Sequence, residues 1–300
     1  MKLSVSVTNF SWPQGTAAIG AHLASLAETL DGTDVDTLWV ADHLLQVDPA
    51  SRLDEPMLEA YTTLGFLAAK TAKLRLGTLV TATTFRDPAV LIKAVTTLDV
   101  LSGGRAWLGL GAGYNADEAS ALGLFLPPTG ERFDRLAELL QLARRMWDGD
   151  ESPFEGRYYR SGRPIGRPTP ITRPPILIGG TGERRTLRLV AKYADACNLF
   201  DIPNGEQVIR HQLDTLGRHC DELGRPRQEI EHTVTTALTP GESANQLVEH
   251  CGRLAELGIH HIVVIARGRA WTHAELDVLV SAAAQLSPLV PTTEVTRLWS

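Results

Sequence analysis

Cysteine is scarce in this chain. Three thiols in 300 residues, Cys197, Cys220 and Cys251, form no CxxC pair, and their odd number excludes a disulfide framework. Long apolar runs are also missing, so no segment is expected to span a bilayer. The start, Met1-Lys2-Leu3-Ser4-Val5-Ser6-Val7, alternates like a strand and lacks the apolar stretch of a signal peptide. With a net charge of −6 and no dense basic stripe, nucleic acid and anionic membranes are not expected partners. No HExxH, paired-histidine or CxxC spacing points to a metal, and no GxSxG elbow points to a serine nucleophile. What is left is a chain 43% hydrophobic and 21% charged, the composition of a soluble, cytoplasmic enzyme.

Short runs rich in Val, Ile and Leu recur along the chain. They lie at Leu3–Val7, Thr37–Ala41, Leu74–Val80, Ala106–Leu110, Ile176–Ile178, Ala194–Leu199, Glu231–Ala237 and Ile262–Ile265. Helical periodicity separates them, as in the stripe Leu136, Leu139, Leu140, Ala143 and Trp147. Pro56 and Pro88 are placed to open the first turns of two helices. Strand–helix alternation implies parallel pairing through right-handed crossovers. Eight repeats in a chain of this length predict a (β/α)8 TIM-like barrel, one domain over residues 1–300. An insertion between strand 4 and strand 5, residues 150–174, is read as a lid, an assembly arm or a surface excursion with local strand near Phe154–Tyr159. Residues 287–300 form a C-terminal tail, whose Leu289, Val290, Leu298 and Trp299 suit either a docked tail or a homodimer contact.

Barrels place their chemistry where strands end. The run Thr37-Leu38-Trp39-Val40-Ala41-Asp42-His43 ends on an acid and an imidazole. Histidine exchanges protons near neutral pH, and an adjacent carboxylate can anchor a ligand or orient the ring. The structural alternative has Asp42 capping a loop and His43 packing over the mouth. The third strand ends in Gly77-Thr78-Leu79-Val80-Thr81-Ala82-Thr83-Thr84, small and hydroxylic residues that expose backbone to a flat heterocycle.

Gly109-Leu110-Gly111-Ala112-Gly113-Tyr114-Asn115-Ala116 misses the dinucleotide fingerprint at Ala116 and reads as a strand exit where backbone approaches a ligand. Ile176-Leu177-Ile178-Gly179-Gly180-Thr181-Gly182-Glu183-Arg184-Arg185-Thr186 combines strand, glycine turn and helix start, which is an anion site. Without a following GK[ST] it is not a P-loop. His260 and His261 precede the last strand and belong to the stability face, and Cys197 is packed within a strand.

Together these segments, with Gly130-Glu131-Arg132-Phe133-Asp134-Arg135-Leu136, resemble the bacterial luciferase-like superfamily, specifically its oxidoreductases dependent on the deazaflavin coenzyme F420. The resemblance implies a barrel with the cofactor ring in its C-terminal mouth. It implies proton transfer at His43, cofactor contact at Asp42, and a non-prolyl cis peptide beneath the ring at Leu79 and Val80. Thr78, Thr81, Gly111, Gly113, Tyr114 and Asn115 would flank the cofactor. Gly179, Gly180, Thr181, Gly182, Glu183 and Arg184 would receive its phosphate. Tyr114 departs from the family pattern, which has tryptophan there in many members and glutamate in sugar-phosphate dehydrogenases. That departure argues against a sugar phosphate.

The expected reaction is hydride transfer between F420 and a small, partly apolar organic substrate, with His43 as proton donor or acceptor. An FMN-dependent monooxygenase served by a separate reductase is the alternative, followed by a non-catalytic flavin-binding barrel. A sugar-binding or lyase barrel would need paired acids at the strand ends, and these are lacking. Substrate contacts are expected from loops 44–55, 114–130, 150–174 and 266–273, including Leu44, Leu45, Phe125, Arg267 and Trp271.

Overall fold

The computed structural model describes residues 1–201 and 205–287. Its strands are β1 (Lys2–Val7), β2 (Val35–Val40), β3 (Arg75–Thr78), β4 (Thr81–Ala82), β5 (Leu108–Gly111), β6 (Phe154–Glu155), β7 (Arg160–Ser161), β8 (Ile176–Gly179), β9 (Ala196–Phe200), β10 (Glu231–Ala237) and β11 (His261–Ile265). Its helices are α1 (Ile19–Leu30), α2 (Ala60–Lys70), α3 (Pro88–Ser102), α4 (Ala116–Leu122), α5 (Thr129–Asp148), α6 (Thr186–Tyr193), α7 (Gly205–Leu223), α8 (Ala244–Glu256) and α9 (His273–Leu286).

Nine strand segments make one sheet in the order β3-β2-β1-β11-β10-β9-β8-β5-β4, every pair parallel. The two ends of that order are halves of one stave. β3 pairs with β2, β4 pairs with β5, and a bridge from Leu76 to Ala106 joins the sides. Counted so, the sheet is an eight-stave (β/α)8 barrel, as the alternation predicts. The third stave is interrupted at Leu79–Val80, whose peptide bond is cis.

Strand alternation divides the apolar residues into two cores. Leu3, Val5, Leu38, Val40, Leu108, Ile176 and their equivalents pack outward under the helices. Trp39, Trp107, Leu177, Ala196 and Val263 pack inside the barrel, with Leu79 and Val80 above them. Gly77 makes room for this filling, since a Cβ there would stand 2.7 Å from Trp107 and 2.8 Å from Trp39. The N-terminal end of the barrel is closed by polar groups. His261, fully buried, bonds Ser4 Oγ at 2.5 Å and Glu231 at 3.1 Å, and Glu231 pairs with Lys2 at 3.0 Å. Burial opposes ionisation of Glu231, but His261 and Lys2 hold its carboxyl far below the carboxylate range. His261 thus belongs to the closed end, as expected, although it is the first residue of the last strand rather than a residue before it.

Pro88 is the first residue of α3, capped by Asp87 Oδ1 on Ala89 N–H. Pro56 is different: α2 begins at Ala60 with Glu59 as its cap, so Pro56 lies in the preceding loop. The stripe Leu136, Leu139, Leu140, Ala143 and Trp147 is the buried face of α5. A short helix, α4, precedes α5 and has no counterpart in the periodicity reading. The insertion holds a two-stranded hairpin, β6–β7, whose first strand falls at Phe154 where local strand was expected. Glu138 of α5 accepts the backbone N–H groups of Arg157, Tyr158 and Tyr159 at the hairpin turn, and Arg135 stacks on the Tyr158 ring at 4.6 Å. Leu289, Val290, Leu298 and Trp299 lie outside the described residues. Among the described residues no helix is long and apolar enough to cross a membrane.

Candidate active site

A cleft of about 510 Å³ opens at the C-terminal ends of the strands. Every stave contributes to it: Ser6 and Thr8 follow from β1, Asp42 and His43 from β2, Leu79 and Val80 from the third stave. Gly111 and Gly113 come from β5, Gly179 and Gly180 from β8, and Asn198, Thr235 and Ile265 from β9, β10 and β11.

One wall is backbone. Val80 projects between the glycines of two neighbouring strands: a Cβ at Gly111 would stand 2.8 Å from it, and one at Gly179 would stand 3.0 Å from it. These glycines let the strand exits close around Val80. Gly113 has φ 78°, a left-handed conformation, and its carbonyl is held by Arg132 at 2.6 Å. The result is a face made of strand-exit backbone and the Val80 side chain, suited to a flat ring.

Asp42 is fully committed. Its carboxylate accepts from Arg86 at 2.6 and 3.0 Å and from the Thr81 hydroxyl at 2.6 Å. Arg86 also pairs with Glu59 and lies over the Tyr61 ring, 4.8 Å from its centroid. Burial, and then the Asp42 charge, push the Tyr61 phenol up, so it serves as a hydrogen-bonding partner of Thr81 at 3.0 Å. Burial alone would weaken the Arg86 cation, but Asp42 and Glu59 raise its pKa above the ordinary value.

His43 has a carboxylate partner too, and it is not its sequence neighbour. Nδ1 of His43 lies 2.7 Å from Glu118 Oε2, while Glu118 Oε1 accepts from Leu44 N–H at 2.6 Å and Leu45 N–H at 3.1 Å. The Glu118 side chain is wholly buried and that of His43 is 18% exposed, so the ring stands between the carboxylate and the cleft. Burial works against ionisation of Glu118, yet the His43 contact and the backbone donors hold its carboxyl below the ordinary range. Tyr114, exposed at the mouth, meets the His43 ring edge-on with centroids 5.8 Å apart. Among the described residues the lining includes no lysine or arginine.

Of the sequence-predicted residues, Asp42, His43, Leu79, Val80, Gly111, Gly113, Tyr114, Asn115, Gly179 and Gly180 line the cleft. Thr78 and Thr81 do not. They are fully buried, with Thr78 Oγ1 bonded to Gly109 O at 3.1 Å, because strand alternation turns them away from the mouth. Along this loop the lining takes in Gly180 and then Thr186, the first residue of α6; between them Thr181, Gly182, Glu183 and Arg184 form an exposed rim, and α6 begins without a side-chain cap. His211 and His219 of α7 hold Glu183, through its side chain at 3.1 Å and its carbonyl at 2.9 Å. Arg184 pairs with no carboxylate among the described residues.

Trp271 is no substrate contact. It is buried beside β1, its indole N–H bonded to Ser6 O at 2.9 Å. Leu44, Leu45, Phe125 and Arg267 also stand outside the lining, and loop 150–174 contributes nothing to it. Gln46, Met57, Phe85, Glu118 and Asn198 belong to the lining without having been singled out in the sequence. Glu118 had a legible signal. Asn115-Ala116-Asp117-Glu118 has the spacing of a helix cap, and Asn115 Oδ1 does accept from Glu118 N–H at 2.9 Å. The glutamate then turns to His43 instead of closing the cap.

Comparison with known proteins agrees with this architecture. The chain is 30% identical over 282 residues to the F420-dependent glucose-6-phosphate dehydrogenase of Kineococcus radiotolerans, spanning 92% of this chain and 78% of that protein. The protein of the same name from Amycolatopsis mediterranei is 33% identical over 289 residues, 92% and 79% of the two chains. Among solved structures, monooxygenase RslO1 from Streptomyces bottropensis superposes with a TM-score of 0.81 at 18% identity, covering 97% of this chain and 100% of that one. An F420-dependent secondary alcohol dehydrogenase bound to an F420-acetone adduct gives 0.76 at 17% identity, with the same coverage. The barrel, its glycine-walled mouth and a family match to "Luciferase-like monooxygenase" over residues 1–287 lead to one assignment: the chain belongs to the luciferase-like monooxygenase family.

Proposed function

We propose that the protein is an F420-dependent oxidoreductase that moves a hydride between the coenzyme and a small, neutral, partly apolar organic substrate. The observation that carries the reading is the placement of His43, held by a buried glutamate and lining a cleft that also has a wall of strand-exit glycines around Val80. The relatives named as F420-dependent dehydrogenases support the coenzyme.

The residues fit such a group. Val80 between Gly111 and Gly179 leaves a face that a planar ring can lie on, and an added Cβ at either glycine would crowd it. Gly179 and Gly180 lead to the uncapped start of α6, where N–H groups and the helix dipole favour a phosphate, with Arg184 near by in sequence. A bound deazaflavin supplies hydride chemistry and reacts poorly with oxygen, since carbon replaces the flavin N5. His43 takes up the substrate hydroxyl proton in oxidation, or returns one in reduction. Asp42 braces the wall through Thr81 and Arg86.

The lining also speaks to substrate charge. The lining carries the acids Asp42, Asp48 and Glu118, and no lysine or arginine among its described residues would meet a phosphate. We therefore assign a neutral alcohol or carbonyl in place of a sugar phosphate. An FMN monooxygenase is the second reading, favoured by the structural likeness to RslO1. Paired fluorescence titrations with F420 and FMN in one buffer separate them: tight F420 binding with weak FMN binding is the expected result, and the reverse preference moves the protein to the oxygen-using branch.

A further inference from the structure

The buried carboxylate behind His43 has a consequence for which ring nitrogen does the chemistry. Glu118 Oε1 is saturated by two backbone donors, Leu44 N–H and Leu45 N–H, which only an acceptor can satisfy. Its second oxygen, Oε2, then meets His43 Nδ1 at 2.7 Å, inside the range of a charge-assisted hydrogen bond. The His43 contact and the two backbone donors outweigh burial and hold this carboxyl below its ordinary range, so near neutrality Oε2 is an acceptor. The imidazole must be the donor.

We propose that Glu118 is a positioning residue that fixes His43 as the Nδ1–H tautomer, so that Nε2 alone exchanges the proton with substrate. The neutral ring then presents the Nε2 lone pair to the cleft, with Nδ1–H held on the carboxylate behind it. In oxidation, Nε2 takes the hydroxyl proton, while a bound F420 would be the acceptor for the hydride and its two electrons from the substrate C–H. In reduction the same proton returns from Nε2 to the nascent alkoxide. This role rests on the proposed assignment of His43, but the tautomer itself does not depend on which cofactor binds.

Asp42, although adjacent in sequence, is unable to do this, because both of its oxygens are held by Arg86 and Thr81. Glu118 also ties the start of α4 to the exit loop of β2 through Leu44 and Leu45. The ring therefore keeps its orientation as long as that loop keeps its shape. Tyr114 limits the ring's swing from the other side.

The test is ring ¹⁵N NMR on the whole, cofactor-free protein, with the His43 signals assigned by their loss in His43→Gln. Wild type is expected to show protonated Nδ1 and bare Nε2 in the neutral ring. In Glu118→Gln the single amide oxygen is needed by Leu44 and Leu45, so the amide NH₂ faces Nδ1 and the population shifts towards Nε2–H. Glu118→Asp, which keeps the charge on a shorter stem, is expected to retain part of the Nδ1–H population. With a turned-over substrate in hand, kcat in Glu118→Gln is expected to fall by about 10–100-fold while F420 affinity is kept. A wild-type ring protonated at Nε2 overturns the proposal even if no variant folds. So does an unchanged tautomer in Glu118→Gln. Loss of F420 binding by wild type would instead sink the functional assignment and leave the tautomer result standing.

Discussion

The Arg86 guanidinium grips the Asp42 carboxylate with two hydrogen bonds, at 2.6 and 3.0 Å, where Asp42 is wholly buried and Arg86 is 15% exposed. Planar fork meets planar carboxylate, the geometry in which such pairs are strongest. The pair fixes the exit of β2, and with it the residue that follows, His43. Removing one partner strands the other in a poorly solvated place. Asp42→Asn is therefore expected to destabilise the fold by about 3 kcal/mol, read from urea denaturation. A change within experimental error would show that Arg86 finds water or Glu59 sufficient.

His43→Ala removes the proton carrier without touching the glycine wall. Turnover should fall by about 10²–10⁴-fold, while the F420 dissociation constant stays nearly the same. Loss of both together would make His43 a structural residue and end the proposed mechanism.

Gly111→Ala attacks the other wall. The new methyl would stand 2.8 Å from Val80, so Val80 must move into the space assigned to the ring. Coenzyme affinity is expected to weaken more than tenfold, about 1.4 kcal/mol or more, with a smaller fall in melting temperature. Fluorescence titration of the purified variant decides it.

Charge at the cleft gives a prediction about substrates. With F420 bound, glucose 6-phosphate is expected to be neither oxidised nor to perturb coenzyme fluorescence, whereas neutral secondary alcohols of similar size should be turned over. Efficient oxidation of the sugar phosphate would mean that a cation outside the described lining reaches the mouth.

The Glu118 contact has a pH signature. Its carboxyl titrates below the ordinary value of 4.5, since the His43 and backbone hydrogen bonds outweigh the effect of burial. A lowered folded-state pKa contributes stability above the unfolded value, and that stability is lost as pH falls through the folded one. The part of the wild-type stability advantage over Glu118→Gln that comes from this lowered carboxyl should thus shrink as pH falls below 4.5. Urea unfolding at pH 7 and pH 4 measures it. A difference that grows on acidification would contradict the contact.

Much of this molecule is legible in the residues alone, for a local reason. Alternation of apolar side chains along a strand and their 3.6-residue recurrence along a helix are short-range patterns, so Glu231–Ala237 and the buried face of α5 can be read directly. Strand exits carrying Asp42-His43 and the glycines at 111, 113, 179 and 180 are equally local. They mark the cleft because a closed barrel brings all its strand ends to one mouth.

Sequence proximity, by contrast, offered Asp42 either as a ligand anchor or as the carboxylate that orients the imidazole, and the second of these is filled from elsewhere. Asp42 adjoins His43, yet the ring is held by Glu118, 75 positions away, and Asp42 by Arg86, 44 positions away. The same holds for Trp271, which reaches the backbone of Ser6 across the seam where the last and first staves meet. Those pairings follow from the register of parallel strands and from where α4 and the β2 exit loop come to rest. A hydrogen bond acts over about 3 Å, and only the closed barrel sets distances on that scale between residues so far apart in the chain.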